Sequence, residues 1–202
     1  MERSTRAATL RAEQRVQRFL DAAQELIAEK ETTDFTVQEV VDRSNQSLRS
    51  FYQHFDGKHE LLLALFEDAL SATATEIRLA TADVDQPLER VRIAVEILFE
   101  QSRPRPGLER PLFSDFALRL QIEHPDQVAT ARLPLLAVFT ELLAEATSSG
   151  VIPINRPRNQ AFLVIQTITF AARVNDVAIN GDGHRVTIDE VWQFCLGGIS
   201  GA

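Results

Sequence analysis

Length, composition and charge place the chain among folded proteins. It has 202 residues, 45% hydrophobic and 25% charged, and 21 basic against 29 acidic side chains give a formal net charge of −8. This composition is typical of a globular protein and unlike that of a disordered chain. One cysteine and four histidines exclude a disulfide framework and argue against a structural zinc site. No apolar run reaches the roughly 20 residues that span a bilayer, and no apolar signal segment opens the chain. We therefore expect a cytoplasmic protein without membrane partner, metal or cofactor.

The net charge conceals two basic stretches. Residues 1–20 carry five arginines against two glutamates, and residues 43–58 carry Arg43, Arg49 and Lys58 against Asp56. Because phosphates meet a local strip of charge rather than the molecular total, the acidic balance does not exclude a nucleic-acid partner.

The first predicted elements are three amphipathic helices. Apolar residues at one-sided spacing predict a helix from Arg11 to Lys30. Thr36 and Glu39 have the spacing of a capping box and open a second, short helix that we expect to end near Asn45. Ser47 is a good N-cap for a third helix, whose inward face would carry Phe51 and Phe55.

Helical patterns continue to the end of the sequence. After Gly57 a longer helix is predicted to about Ala80, and Pro87 suits the start of the next. Pro134 should kink or divide a segment from about 125 to 147, and Thr187 with Glu190 repeats the capping-box spacing. Two further helices are expected at about 157–180 and 187–199. We predict an all-α fold of about nine helices.

Residues 36–62 form a candidate helix-turn-helix. In this motif the second helix enters the major groove of DNA, so its outward side chains should be base readers. Arginine pairs with guanine, glutamine with adenine, and leucine can touch a thymine methyl group. The outward residues here are Leu48, Arg49, Ser50 and Gln53, with Tyr52, His54 and Lys58 placed to hold phosphates. Tyr52 could alternatively be packed, and the others could be ordinary surface residues.

The stretch TVQEVVDRSNQSLRSFYQHFDGKHELL resembles the DNA-binding signature of the TetR/AcrR family of transcriptional regulators. The resemblance covers about residues 15–65 and is strongest in Phe51-Tyr52-x-His54-Phe55 followed by Lys58. The chain departs from the family pattern at Glu31 and Asn45, where glycine is usual, and at Gln46 and Leu48. Gln46 would have to point outward or hydrogen-bond locally, because a buried amide without partners is costly.

The resemblance implies a ligand-responsive repressor that binds a near-palindromic operator as a homodimer. It also implies a three-helix DNA-binding domain at residues 1–56, including a basic arm, and a helical ligand-binding and dimerisation domain at 57–202. The residues expected to contact double-stranded operator DNA are Thr36, Gln38, Ser47, Leu48, Arg49, Ser50, Tyr52, Gln53, His54 and Lys58. A helical adaptor for protein partners is the alternative, and the absence of a catalytic motif argues against an enzyme.

A C-terminal bundle rich in aromatic residues could enclose a small, largely apolar effector. The candidate pocket residues are Phe99, Phe113, Phe116, Phe139, Phe162, Phe170 and Arg173, although core packing is the simpler interpretation for most individual aromatics. The resemblance implies dimerisation through the last two helices. The candidate interface residues are Phe162, Ile165, Thr169, Ala172, Asp176, Trp192 and Cys195.

Overall fold

The computed structural model describes residues 2–103, 120–174 and 185–200, with side chains omitted for residues 2–8, 173 and 174. Regular structure in these residues is entirely helical, which confirms the predicted all-α fold. The helices are α1 (Glu2–Lys30), α2 (Val37–Ser44), α3 (Leu48–Tyr52), α4 (Lys58–Thr81), α5 (Pro87–Ser102), α6 (Pro125–Ala131), α7 (Leu133–Ser148), α8 (Pro157–Val174) and α9 (Ile188–Ser200).

The first helix begins earlier than predicted. We expected Arg11 as its start, but α1 begins at Glu2, so the basic arm is part of the helix. Residues 2–10 contain neither glycine nor proline, and nothing in them stops helix propagation. Leu10 is 51% exposed, so it adds no buried apolar position from which amphipathic spacing could predict this earlier start.

The predicted helix ends are confirmed by their hydrogen bonds. Thr36 and Glu39 form a reciprocal capping box at α2, and the Ser47 hydroxyl accepts from the Ser50 backbone N–H, 3.1 Å away. Asn45 adopts the left-handed conformation, with φ 53° and ψ 38°. The Thr187 hydroxyl accepts from the Glu190 N–H before α9. These local bonds define where each helix begins.

Two apolar clusters organise the helices. The first joins α1, α2 and α3 to the start of α4, where Leu61, Leu62 and Leu65 are buried. The second joins the rest of α4 to α5–α9, beginning with Leu63 and Phe66. Because α4 contributes to both clusters, the two domains expected from the sequence share this helix.

Pro134 divides the predicted long helix into α6 and α7, because proline has no backbone N–H to donate and its ring clashes with the preceding helical turn. The two helices meet at 51°, with Pro134 in the first turn of α7. No single helix in the described ranges has both the length and the apolar composition to cross a membrane. The bent α6–α7 pair meets those two criteria together.

Candidate functional site

The turn between α2 and α3 sets the direction of the short third helix. Asn45 ends α2 in the left-handed region, and the Gln46 backbone N–H donates to the Val41 carbonyl at 3.3 Å. The Gln46 side-chain amide donates to the Asn45 carbonyl at 3.1 Å, which is the local hydrogen bond expected for this residue. The turn therefore satisfies its own polar groups without a glycine.

Three phenylalanines fix α3 against α1. Phe51 is fully buried, and its ring centroid lies 5.4 Å from that of Phe19 in an edge-to-face contact. Phe55 is 4% exposed and packs 5.3 Å from Phe51. Because α3 ends at Tyr52, Phe55 lies beyond the helix on which we had placed it, but its predicted inward orientation is correct.

The opposite face of α3 is open to solvent. Leu48 is 42% and Tyr52 56% exposed, and Arg49 and Gln53 are also exposed. The Tyr52 and Phe51 rings meet edge to face, with their centroids 5.5 Å apart. The Tyr52 side chain therefore packs against Phe51 and also reaches outward into solvent. Phe51 therefore faces inward. Of the predicted base readers, Leu48, Arg49 and Gln53 face outward, and so does the predicted phosphate contact Tyr52.

Two other predicted DNA contacts on this element are less accessible. Ser50 Oγ and His54 Nε2 are shielded from solvent and have no hydrogen-bond partner in the part of the chain that is described. We expected both side chains to meet DNA directly, and these two atoms are not accessible in this conformation. His54 can offer a phosphate only its other ring nitrogen in this conformation.

The predicted contacts at the start of α2 are already engaged within the helix. The Thr36 hydroxyl donates to Glu39 Oε2 at 3.0 Å and accepts from the Glu39 N–H at 3.2 Å. The Gln38 amide donates to Asp42 Oδ1 at 2.7 Å. Both side chains are exposed, so they remain at the surface, with capping and intrahelical pairing as their observed roles.

An ion pair removes Arg43 from the basic strip that the sequence suggested. Its guanidinium donates to both carboxylate oxygens of Glu29 at 2.6 Å and lies 3.6 Å from Glu25. This guanidinium lowers the pKa of the Glu29 carboxyl. Arg43 therefore ties α2 to α1, and the positive charge left around α3 comes from Arg49 and Lys58.

A second pair joins the end of α1 to α2. Lys30 Nζ lies 2.6 Å from Glu39 Oε1, and the other Glu39 oxygen accepts from the Thr36 backbone N–H at 2.8 Å. The Lys30 ammonium and the Thr36 N–H together lower the pKa of Glu39 to about 2. The carboxylate is consequently a structural group that completes the cap of α2.

The start of α4 presents free backbone donors. Gly57 is its N-cap and supplies no side chain, and Lys58 follows with its ammonium 4.8 Å from the centroid of the Phe35 ring. Helix N-termini attract anions through their unpaired amides. The cation and the amides together make this end of α4 suitable for a phosphate.

Two histidines connect α4 to the C-terminal helices. His59, in the first turn of α4, and His124, the N-cap of α6, have ring centroids 3.9 Å apart. His59 Nε2 is buried without a hydrogen-bond partner in the described structure. No local pattern predicts this contact, because His59 and His124 are 65 positions apart in the sequence.

A cavity of about 310 Å³ lies between α6, α7 and α8. Of the aromatic residues predicted to form a pocket, Phe162 lines this cavity. Phe99 and Phe139 are instead fully packed in the core, and Phe170 is 68% exposed. Phe113, Phe116 and the Arg173 side chain lie outside the described parts. The cavity lining is thus mainly aliphatic, from leucines, valine and isoleucine.

The predicted dimer residues mostly face the interior of their own chain. Ile165, Ala172, Trp192 and Cys195 are all less than 10% exposed and Thr169 is half-buried, whereas Phe162 is 48% exposed. Asp176 lies outside the described residues. The exposed apolar face consists instead of Phe162, Leu163 and Phe170 on α8 and Phe194 on α9, next to Gly197 and Gly198. Both faces of α8 are apolar, so its spacing could not select between them.

The described side chains form no cluster of three or more histidine, cysteine or acidic residues that could hold a metal. Burial raises the pKa of the Cys195 thiol to about 11, which leaves it protonated at neutral pH. These groups therefore offer neither a metal site nor a reactive thiolate among the residues described.

Comparison with known proteins supports the family resemblance. The model of the tetR family of bacterial regulatory proteins matches residues 19–65, which include all of α2 and α3. Residues 19–65 are therefore similar to the DNA-binding segment of tetR-family regulators. A relative in Mycobacterium tuberculosis, named as an uncharacterized helix-turn-helix transcriptional regulator, is 26% identical over 98 residues. The match spans 48% of each protein, so the chain covers about half the length of the curated relatives it matches.

Solved structures extend the similarity in fold over nearly the whole chain. RolR bound to resorcinol has a TM-score of 0.70 at 19% identity, covering 95% of this chain and 90% of RolR. AibR in complex with isovaleryl coenzyme A and operator DNA has a TM-score of 0.56 at 17% identity, covering 92% and 98%. At these identities the comparison establishes the fold, including a helical C-terminal part behind the helix-turn-helix.

Proposed function

We propose that this TetR-family regulator binds double-stranded operator DNA with the exposed face of α3 in the major groove. The observation that carries the proposal is the division of α3 into a buried Phe51 and an outward set formed by Leu48, Arg49, Tyr52 and Gln53. A five-residue helix anchored by one aromatic core residue presents these four side chains from a fixed backbone. The structure of AibR with operator DNA supports this use of the shared fold.

Each outward residue has a distinct role in this proposal. Arg49 can donate two hydrogen bonds to guanine, and Gln53 can pair with adenine, so these residues would read sequence. The Tyr52 hydroxyl and the amides at the start of α4, with Lys58 beside them, would hold phosphates and fix the register. Ser47, Thr36 and Gln38 lie at the helix starts and would add surface contacts, while Ser50 and His54 would require side-chain rearrangement to do so.

The test is selection of DNA by the intact protein from a random 30-base-pair library, followed by fluorescence anisotropy on the enriched sequence. Arg49→Ala should weaken binding to the enriched sequence by at least tenfold and reduce discrimination at one base position. Arg185→Ala is the matched control, because Arg185 is an exposed arginine distant in sequence from α3. Failure to enrich any sequence, or equal losses for both variants, would contradict the assignment.

We also propose that the regulator is a homodimer formed through α8 and α9. Phe162, Leu163, Phe170 and Phe194 make an apolar face on two neighbouring helices, and exposed apolar patches of this kind mark interaction sites. Two heads related by a two-fold axis would recognise a near-palindromic operator.

Light scattering after size exclusion tests the dimer. Phe194→Glu should convert the dimer to a monomer, because it places a charge in the proposed interface. Leu79→Glu changes an equally exposed apolar residue, 74% against 71%, on α4 and should leave the mass of a dimer unchanged. A monomeric wild type, or a Phe194→Glu protein that remains dimeric, would contradict this interface.

We further propose repression relieved by a small effector in the cavity between α6, α7 and α8. Helix α6 lines the cavity, and His124 at its start contacts His59 in the first turn of α4, next to the DNA-binding head. A ligand that moves α6 would therefore shift the head. The crystal structure of RolR with resorcinol supports ligand binding by this fold. The proposed function requires no enzymatic activity, and it requires the protein to be in the cytoplasm, where it can reach DNA.

A further inference from the structure

The cavity between α6, α7 and α8 has an apolar wall with a defined chemistry. Val128, Leu135, Leu136 and Ile165 supply branched aliphatic surface, and Phe162 supplies an aromatic ring, the one such ring among the described lining residues. Its volume of about 310 Å³ is at the lower end of the range for small-molecule sites. An aliphatic wall of this size suits a flexible hydrocarbon chain of moderate length better than a large planar molecule.

The charged groups that the described residues contribute to the cavity lining are both cationic. Arg132 and Arg158 belong to this lining, as do the amides of Gln121 and Gln166, and none of the described lining residues is a carboxylate. This is a local reversal of sign in a chain that carries 29 acidic against 21 basic residues. Within the described structure, Arg158 makes no ion pair, although arginine pairs strongly with carboxylates through two parallel hydrogen bonds.

We propose that the cavity binds an amphipathic monocarboxylate, with its hydrocarbon chain against the α6–α7–α8 wall and its carboxylate at Arg158. Arg132 adds positive potential from the same rim. The inference names the effector class for the ligand-responsive function proposed above. The site itself can be tested without DNA, so its failure can be distinguished from failure of the DNA-binding proposal.

A second copy of the chain is the competing occupant. Phe162 belongs both to the cavity and to the exposed apolar face, and an adjoining hollow of about 370 Å³ shares Arg158 and continues to Leu163. Arg158, which makes no ion pair within the described residues, favours the carboxylate, because the exposed face of the partner copy would bring mainly apolar side chains and leave this arginine without a counter-charge.

The experiment is isothermal titration calorimetry of the full chain with octanoate and its neutral analogue octanamide. Octanoate should bind at least tenfold more tightly, since only the carboxylate forms a charge-assisted pair with Arg158. Hexanoate should bind more weakly than octanoate by about fourfold for each methylene removed. Equal affinity for octanoate and octanamide, or no dependence on chain length, would overturn the proposal.

Two variants locate the binding. Arg158→Gln should weaken octanoate by about tenfold and leave octanamide unchanged, and Arg185→Gln should change neither. Ala129→Trp, an exposed position of α6 on the cavity wall, should abolish binding of both compounds without affecting the fold measured by circular dichroism. Octanoate binding that is insensitive to Arg158→Gln and Ala129→Trp would place the ligand elsewhere.

The dimer and DNA readouts separate the remaining possibilities. If octanoate bound to the monomeric Phe194→Glu variant but not to the wild type, a second copy of the chain would be covering the cavity. That result would overturn the proposal. Specific DNA binding in the absence of any octanoate binding would leave the DNA-binding function intact and reject the effector class. Octanoate binding by a protein that enriches no DNA sequence would support the cavity site and reject operator binding.

Discussion

Phe51 and Tyr52 are adjacent in sequence, yet the structure assigns them opposite consequences on mutation. Phe51 is fully buried, and its ring centroid lies 5.3–5.5 Å from the ring centroids of Phe19, Tyr52 and Phe55. Replacing a buried phenylalanine by alanine costs about 3–5 kcal/mol, and three ring contacts favour about 4 kcal/mol here. Tyr52 is 56% exposed, so Tyr52→Ala loses mainly one ring contact and should cost about 1 kcal/mol.

Urea denaturation followed by far-ultraviolet circular dichroism measures both losses at one protein concentration. With a slope of about 2 kcal/mol per molar urea, Phe51→Ala should lower the midpoint by about 2 M and Tyr52→Ala by about 0.5 M. Fluorescence of Trp192, in the second apolar cluster, reports whether the C-terminal helices unfold with the head. A cost below about 1 kcal/mol for Phe51→Ala, or equal costs for both variants, would refute the packing argument.

Three further predictions concern local structure. Because the pKa of Glu39 is lowered on folding, its contribution to stability is complete above its unfolded pKa of 4.5 and is lost as pH falls towards 2. Glu39→Gln should therefore reduce the loss of thermal stability between these pH values, measured by thermal unfolding. Glu31 has φ 51°, so Glu31→Gly should raise the free energy of unfolding by about 0.5–1 kcal/mol in urea, and a decrease would count against left-handed strain. Cys195 should react with a thiol reagent at pH 8 only after unfolding, and rapid labelling of the native protein would contradict its burial.

The parts of the fold that were predicted correctly depend on interactions between residues close to each other in the sequence. The capping box at Thr36, the N-cap at Ser47 and the left-handed Asn45 involve partners within four positions, so residue type and spacing suffice. The inward orientation of Phe51 was predictable for the same reason. These local features define the helix-turn-helix.

The remaining features depend on partners distant in sequence or on a choice between similar faces. Nothing in the pattern around Arg43 indicates that Glu29 on α1 neutralises it, and nothing around His124 indicates His59. On α8, four consecutive apolar residues from Phe162 to Ile165 surround half of the helix, so periodicity could not show that Ile165 is buried and Phe162 exposed. The dimer and pocket residues were therefore the ones that the sequence pattern could not select.

The most direct test of the central claim is the salt dependence of binding to the enriched DNA sequence by the wild type and by Tyr52→Ala. If each of two heads makes about four phosphate contacts, raising salt from 50 to 200 mM should weaken wild-type binding by at least about 10³-fold. Tyr52→Ala should bind more weakly than wild type at both salt concentrations while retaining its helical content. Wild-type affinity that is insensitive to salt, or a Tyr52→Ala protein that binds as tightly as wild type, would contradict the assignment of α3 as the DNA-binding surface.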